Sequence, residues 1–418
     1  MGQAAAVVVV VGGSFAGLTA ALELKRQLGR RVEVTVVEPE ESFLFRPSLH
    51  WLAVGLRREQ QLSIPLGKIL APAGIRWLRA RATEIRAEAN RVELEDGSVL
   101  SYDHMVIATG PHLDFGAVPG LGENANHVMD LDGATATGVA WRAYLDGGGG
   151  PLVVGAVQGV SCFGPAHEFC FLADHILRRT GIRHRSPIRF VTSEPFVGHM
   201  GLGGVGNSRR MFVDEMDKRD IVWEANATVA EVAPGKVTLG NGEELVSRFT
   251  LFVPPFRGVD LVLRSGLGNP KGWMAVDGTY RHPKHSNVFA AGVAVALPPR
   301  ETTPVPTAPP KTGYMAEGMA RVVARNIAAT VLGRPLTELP PAELDIVCIS
   351  DLGREAAFMY STQVLAPRNH VYVKKGRWAH RMKETFERYY LFKLRHRATA
   401  WDGLERMLLA KTFGRLES

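Results

Sequence analysis

Five consecutive valines, Val7 to Val11, run straight into Gly12-Gly13-Ser14-Phe15-Ala16-Gly17. Nothing else in the chain restricts its fold as strongly. A short β-branched run without polar residues is a strand buried on both faces, as in a parallel sheet covered by helices. Gly12 permits a tight turn, and Gly17 lets the following helix lie close to the strand. A helical pattern then runs from Leu18 to Leu28, and a second strand, Val32 to Val37, ends at Glu38. An acid at that point holds a ribose hydroxyl. Ser14 stands where the dinucleotide fingerprint has its middle glycine. It is small and can donate to a phosphate, and the helix N-terminus beside it favours anions. Strand, glycines, helix, strand and acid in this order predict a dinucleotide fold. Its candidate binding residues are Gly12, Ser14, Phe15, Ala16, Gly17 and Glu38.

A second unit of the same kind starts at Pro151-Leu152-Val153-Val154-Gly155. It continues through a helix from Pro165 to about Arg179 and a strand at Ile188–Thr192. Here Val157 and Val160 take the second and third fingerprint positions. Branched side chains would keep a pyrophosphate off the backbone, so a second dinucleotide is disfavoured. Glu194 does not replace the missing glycines. Further strands are expected at Arg91–Leu94, at His104–Ala108 before Thr109-Gly110, and at Asn287–Gly292. A helix is expected from Thr312 to Leu332, and a linker from Pro335 to Pro341. The fold class is α/β, with two Rossmann-like domains and a C-terminal amphipathic helical segment. The domains are expected at 1–118 with 276–340, at 119–275 and at 341–418.

Composition removes other classes. With 46% apolar residues, 22% charged and a net charge of +7, the 418 residues are not a disordered chain. Three cysteines cannot build a disulfide framework, and no Cys/His cluster at zinc spacing occurs, so no metal is expected. The most apolar run, Ala4 to Val11, is far short of the roughly 20 residues that span a bilayer. No basic stretch precedes it, so an export leader is not expected. Charge is uneven. From Arg377 to Arg415 ten Lys/Arg face four Asp/Glu, which places +6 of the +7 in the tail. There basic residues alternate with Leu, Phe, Met and Trp at helical spacing. That pattern suits a helix lying on an anionic membrane surface, with a basic helix at a subunit interface as the alternative. Nucleic acid is not an expected partner.

Cys162 precedes the helix at Pro165. A thiol at a helix N-terminus has its thiolate stabilised, so its pKa is expected to fall, unless it is only a small buried hydrophobe. Cys348, in Ile346-Val347-Cys348-Ile349, reads by itself as core. So does Cys170, between Phe169 and Phe171. Glu168, a turn and a half beyond Cys162, is either a proton acceptor beside the thiol or a surface glutamate.

Several stretches together resemble sulfide:quinone oxidoreductases of the flavin-dependent disulfide reductase superfamily. They are Gly12–Gly17, Phe45-Arg46-Pro47-Ser48, Ile107-Ala108-Thr109-Gly110, Gln158 to Phe169, Thr192 to Pro195, His199 to Gly204, Thr303 to Thr307, Pro310 to Met315, Val347 to Asp351, and Phe386 to Lys393. The resemblance covers nearly the whole chain. It implies FAD in the first fold, with Cys162 and Cys348 paired beside the flavin. Sulfide attacks their disulfide or a bridging polysulfide, and two electrons pass through the flavin to a quinone. Arg46, Thr109, Gly110, Gly292, Val293, Lys311 and Thr312 then join the flavin-binding set, with Lys311 neutralising the reduced ring. His199 becomes a proton donor, a satisfied loop histidine being the alternative. Phe358, Tyr389, Tyr390 and Phe392 become candidates for the quinone pocket or are simple core. The implied protein is a peripheral protein of the cell membrane, compatible with a homo-oligomer.

Three departures stand out. Met129 occupies the region where some members carry a third cysteine. Val293 stands where the superfamily has an aspartate for the ribitol. Cys170 is extra. Three rivals remain: a type II NADH:quinone oxidoreductase, the flavin subunit of a flavocytochrome sulfide dehydrogenase, and a non-catalytic sulfide sensor. The first would need an intact second fingerprint. The second would carry an export signal and a flavin-tethering cysteine.

Overall fold

The computed structural model describes residues 4–299 and 301–399. The valine run forms the strand Ala6–Val11 at the centre of a five-stranded parallel sheet. Across the sheet the order is Val288–Ala290, His104–Ile107, Ala6–Val11, Val32–Val37 and Arg76–Leu78. The buried valines therefore have neighbours on both sides and helices above them. The helix Phe15–Leu28 begins before the apolar pattern does, directly after Ser14, and packs along the helix Gly313–Val331. Thr312 caps that second helix, its hydroxyl accepting the Met315 N–H. The expected strand Arg91–Leu94 forms, but in a separate antiparallel sheet with Ala82–Arg86 and Val99–Ser101.

The second unit is a four-stranded parallel sheet, Ile221–Glu224, Ile188–Thr192, Leu152–Ala156 and Phe249–Val253, in that order. The helix Gly164–Arg179 packs against it. The two Rossmann-like sheets are thus as the hydrophobic pattern predicts.

The last region is more than a helix. Strands Ile346–Asp351, Ala356–Ser361 and Val371–Gly376 form an antiparallel sheet, and the helix Arg377–Arg395 follows at once. This helix buries Ala379, Lys383, Glu387, Tyr390, Leu391, Lys393 and Leu394. It leaves Arg377, Trp378, Arg381, Thr385, Arg388, Phe392 and Arg395 exposed. The amphipathic pattern is real, but its inner face binds the body of the protein rather than a bilayer. Among the described residues no helix is long and apolar enough to cross a membrane. The rest of the basic tail, 400–418, lies outside the described residues.

Candidate active site

The turn after the first strand cannot carry side chains. Gly12 has φ +110°, and a Cβ there would lie 2.3 Å from the Ala108 carbonyl oxygen. A Cβ at Gly17 would lie 1.8 Å from the Gly12 carbonyl oxygen. Beside the turn opens a cleft of about 270 Å³ lined by Gly12, Glu38, Arg81, Thr109, His112 and Arg264, among others. Glu38 accepts the N–H groups of Gly13 (2.6 Å) and Glu40 (3.0 Å). Burial still holds its pKa above the ordinary carboxylate value. Gly110, at φ +69°, turns the chain away beneath the cleft.

A second group faces the fingerprint helix from the far end. Gly292 has φ +75°, and a Cβ there would stand 3.0 Å from the Ala16 Cβ. Lys311 donates to the carbonyls of Val293 (2.8 Å) and Val295 (2.6 Å) and lies over the Trp273 ring. Burial pulls its pKa down to about 7. Val293, where an acid was missed, thus contributes backbone. Arg46 turns elsewhere, donating to the Met129 carbonyl (3.1 Å). The Ser14 side chain makes no capping bond to its helix. Phe15 sits in an aromatic cluster with Phe43, Phe45 and Tyr390, at centroid distances of 5.1 to 6.1 Å.

Cys162 lies in the loop before the helix Gly164–Arg179, and Cys348 lies on the strand Ile346–Asp351. Both are free thiols, partly exposed, and the charge of Cys348 acts on Cys162. The helix that starts just after Cys162 packs against the strand that carries Cys348, which sets the two thiols in the same neighbourhood. The expected fall in the Cys162 pKa does not occur. Burial pushes it up to about 12, helped by Cys348 and Glu168, and the Gly164 amide at the helix start only partly offsets this. Cys348 rises to about 11 for the same reasons, burial and then Glu168. Its Sγ is 3.8 Å from the Ser350 hydroxyl. Cys170 is fully buried in the main core, where burial raises its pKa as well.

Glu168 is not a surface residue. It is buried, and its Oε2 meets His50 Nε2 at 2.7 Å and the Lys383 ammonium. Lys383 Nζ is also 3.2 Å from His50 Nε2. Burial pushes the Glu168 pKa up, but His50 and Lys383 outweigh it and hold the group below the ordinary value. Sequence reasoning missed His50 and Lys383. The one signal for Lys383 was a basic residue on the inner face of an amphipathic helix, and His50, on the short helix Leu49–Ala53, had none. The same helix makes three more polar clasps. His380 Nδ1 lies 3.3 Å from Asp351, which also accepts from Trp51 Nε1 at 2.6 Å. Glu387 accepts from Ser48 and from Arg57 (2.8 Å). Lys393 pairs with buried Glu317 at 3.0 Å.

The four quinone candidates do not converge. Phe358 is fully buried in a small cluster with Tyr360, Tyr372 and Ala379, on the sheet face opposite Cys348. Tyr390 is core, between Phe15, Phe43 and Phe45. Tyr389 is half-buried, and Phe392 is exposed against His396. His199 is buried in its glycine-rich loop. Its Nδ1 accepts the Gly201 N–H (3.1 Å), and its Nε2 lies 2.7 Å from Glu301 and 3.2 Å from the Gly203 N–H.

The second unit is closed. The Gly159 N–H donates to the Pro306 carbonyl (2.7 Å), and Ala308 N–H to Val160 (3.0 Å). The segment around Pro306 therefore lies along the loop where a pyrophosphate would bind. Glu194 is fully buried, bonded to His167 Nε2 (2.9 Å), to the Thr192 hydroxyl (2.9 Å) and to the Met200 N–H (2.7 Å). Fully buried and bonded on both oxygens, it is not presented to a ribose at the surface.

Comparison with known proteins agrees with this geometry. Residues 6–160 match the pyridine nucleotide-disulphide oxidoreductase family. The chain is 39% identical, over 93% of its length and 91% of the relative's, to the sulfide-quinone reductase of Aquifex aeolicus. It is 32% identical to an NADH dehydrogenase-like protein of Mycobacterium tuberculosis, over 69% of this chain and 72% of that one. The crystal structure of the Aquifex aeolicus sulfide:quinone oxidoreductase superimposes with a TM-score of 0.93 at 37% identity, covering 97% of this chain and 95% of that one.

Proposed function

Because this chain belongs to the sulfide:quinone oxidoreductase family, we propose that it oxidises sulfide and passes the two electrons through FAD to a membrane quinone. The observation that best supports this reading is the packing of the helix that follows Cys162 and carries buried Glu168 against the strand that carries Cys348. Gly12, Ser14, Ala16, Gly17, Glu38, Thr109 and Gly110 suit the nucleotide half of FAD, since the turn admits no Cβ and the cleft opens there. Gly292, Val293, Lys311 and Thr312 suit the ring end. FAD, when bound, supplies a two-electron relay between the cysteine pair and the quinone.

As a disulfide, Cys162 and Cys348 are the electrophile. Sulfide attacks one sulfur, a new S–S bond forms as the old one breaks, and the other sulfur leaves as thiolate with the electron pair. Glu168 takes the proton of hydrogen sulfide. A second sulfide attacks the outer sulfur of that persulfide, the bond to the cysteine breaks with its electron pair, and the two sulfide-derived sulfurs leave joined as the shortest polysulfide, with both cysteines reduced. Residues 1–118 with 276–340 form the flavin domain, 119–275 the second Rossmann-like domain, and 341–418 the quinone and membrane region. The exposed helix face, with Arg377, Arg381, Arg388 and Arg395 around Trp378 and Phe392, rests on an anionic bilayer. Tyr389 and Phe392, the two quinone candidates with exposed surface, are placed to meet a quinone arriving from it.

The mycobacterial relative raises NADH as the reductant. The sealed second unit argues against it, because the loop amide at Gly159 and the carboxylate of Glu194 are both taken within the chain. The test is an anaerobic spectrum of the purified protein. Sulfide should bleach a flavin band that quinone restores, and NADH should leave it unchanged. A band bleached by NADH and untouched by sulfide would overturn the reading.

A further inference from the structure

The C-terminal helix reaches the cysteine pair as well as the membrane-facing side. From Tyr390, which packs against Phe15 of the first fingerprint, seven residues back along the helix is Lys383, about 10 Å away at 1.5 Å per residue. Lys383 donates to Glu168, and His50 closes the triangle from the short helix Leu49–Ala53. We propose that Lys383 and His50 are positioning residues for sulfide oxidation, which hold Glu168 as a carboxylate beside Cys162 and Cys348, so that the C-terminal helix completes the sulfide site.

A carboxylate shut away from water takes up a proton unless cations face it. Glu168 is faced by His50 at 2.7 Å and by the Lys383 ammonium, and its charge raises the pKa values of the two thiols. Other charged groups on or against the C-terminal helix are paired among themselves: Asp351 with His380, and Glu387 with Arg57. Lys383 and His50 are therefore what keeps Glu168 able to receive a proton. In the step they support, hydrogen sulfide loses a proton to Glu168 as its sulfur bonds to one cysteine sulfur, and the second cysteine departs as thiolate. The oxidant is the disulfide, which quinone restores through the flavin.

The inference rests on Glu168 as proton acceptor, so its test needs a readout that does not use sulfide. Flavin-loaded full-length protein would be prepared as wild type, Lys383→Gln, Lys383→Arg, His50→Gln, and each of the two Gln variants combined with Glu168→Gln. Infrared spectra across pH should show a protonated carboxyl band in Lys383→Gln and in His50→Gln at pH values where wild type has none. Each double variant should lack it. Anaerobic flavin reduction by sulfide should show its acid limb moved upward by at least about one pH unit in both Gln variants, a tenfold loss on that limb. Alkaline rates and flavin content should stay near wild type, and Lys383→Arg should restore the profile. Sulfide's own ionisation is common to all variants. Should Lys383→Gln not fold, His50→Gln carries the same test. A wild-type carboxyl spectrum in the soluble variants would overturn the proposal. Failure of sulfide to bleach the wild type would overturn the functional reading instead, and the infrared band would still decide this one.

Discussion

The two strand–turn–helix units share an architecture and part at their turns. In the first, Gly12 and Gly17 exist because backbone occupies the space a Cβ would need, and a cleft opens beside Glu38. In the second, Gly155 is just as tightly packed, with a Cβ placed 1.8 Å from the Val191 carbonyl oxygen. Yet Val157 and Val160 follow it, both fully buried, and the segment at Pro306 bonds the loop amide. A Rossmann unit becomes a nucleotide site through what its turn leaves open, and the parallel sheet alone does not decide this.

The sharpest way to break that contrast is Gly12→Val. It should leave no bound flavin, measured as the flavin-to-protein absorbance ratio after gel filtration. Gly159→Ala has φ +79° but a Cβ no closer than 3.5 Å to Pro255, and should keep its flavin. Equal losses would mean that both turns serve the same purpose.

Next in size is the cysteine pair. Cys162→Ser and Cys348→Ser should each slow flavin reduction by sulfide by at least about 100-fold in stopped-flow, with flavin retained. Cys170→Ser, in the core of the closed unit, should stay near wild type. Rapid reduction in Cys348→Ser would remove the disulfide from the mechanism.

The tail supplies a stability test. Glu317 is held below the ordinary carboxylate value against the upward push of burial, by Lys393 and then Arg321. Lys393→Met leaves that carboxylate short of a partner and should cost about 3–5 kcal/mol in denaturant unfolding. The loss should be largest near neutral pH and shrink as pH falls through the carboxylate range, where Glu317 takes up its proton. Arg388→Met, on the exposed face, should stay within about 0.5 kcal/mol. Cutting the chain after Trp378 would strip Lys383 and Lys393 from Glu168 and Glu317. It is therefore a test of folding more than of membrane binding.

The smallest effect concerns the reduced thiols. With pKa values raised to about 12 and about 11, Cys162 and Cys348 stay protonated at neutral pH. Iodoacetamide trapping followed by mass spectrometry should show alkylation rising about tenfold per pH unit into the alkaline range, with Cys348 levelling first. Fast labelling at pH 7 would show that the helix start at Gly164 outweighs burial after all.

What the sequence by itself determined is local. Valines followed by glycines can only be a buried strand and a tight turn, and Val157 with Val160 closes the second fingerprint, because each rule acts within a few residues. The amphipathic period of 377–395 was equally legible. Which partner its inner face meets was not, since periodicity marks a face without naming its occupant. The proposed pairing of Cys162 with Cys348 came from resemblance, because Cys348 alone reads as core and Cys162 alone fits a buried hydrophobe as well as a reactive thiol. Only the tertiary structure decided the rest. It reversed the expected fall of the Cys162 pKa, since burial is a property of everything packed around a thiol and outweighs one helix N-terminus. It turned Tyr390 and Phe358 into packing residues, and set Glu168 between His50 and Lys383. Those three lie on segments that no local pattern connects. They meet where the helices Leu49–Ala53, Gly164–Arg179 and Arg377–Arg395 come together, and a carboxylate buried at that junction is stable only where hydrogen-bond donors reach it.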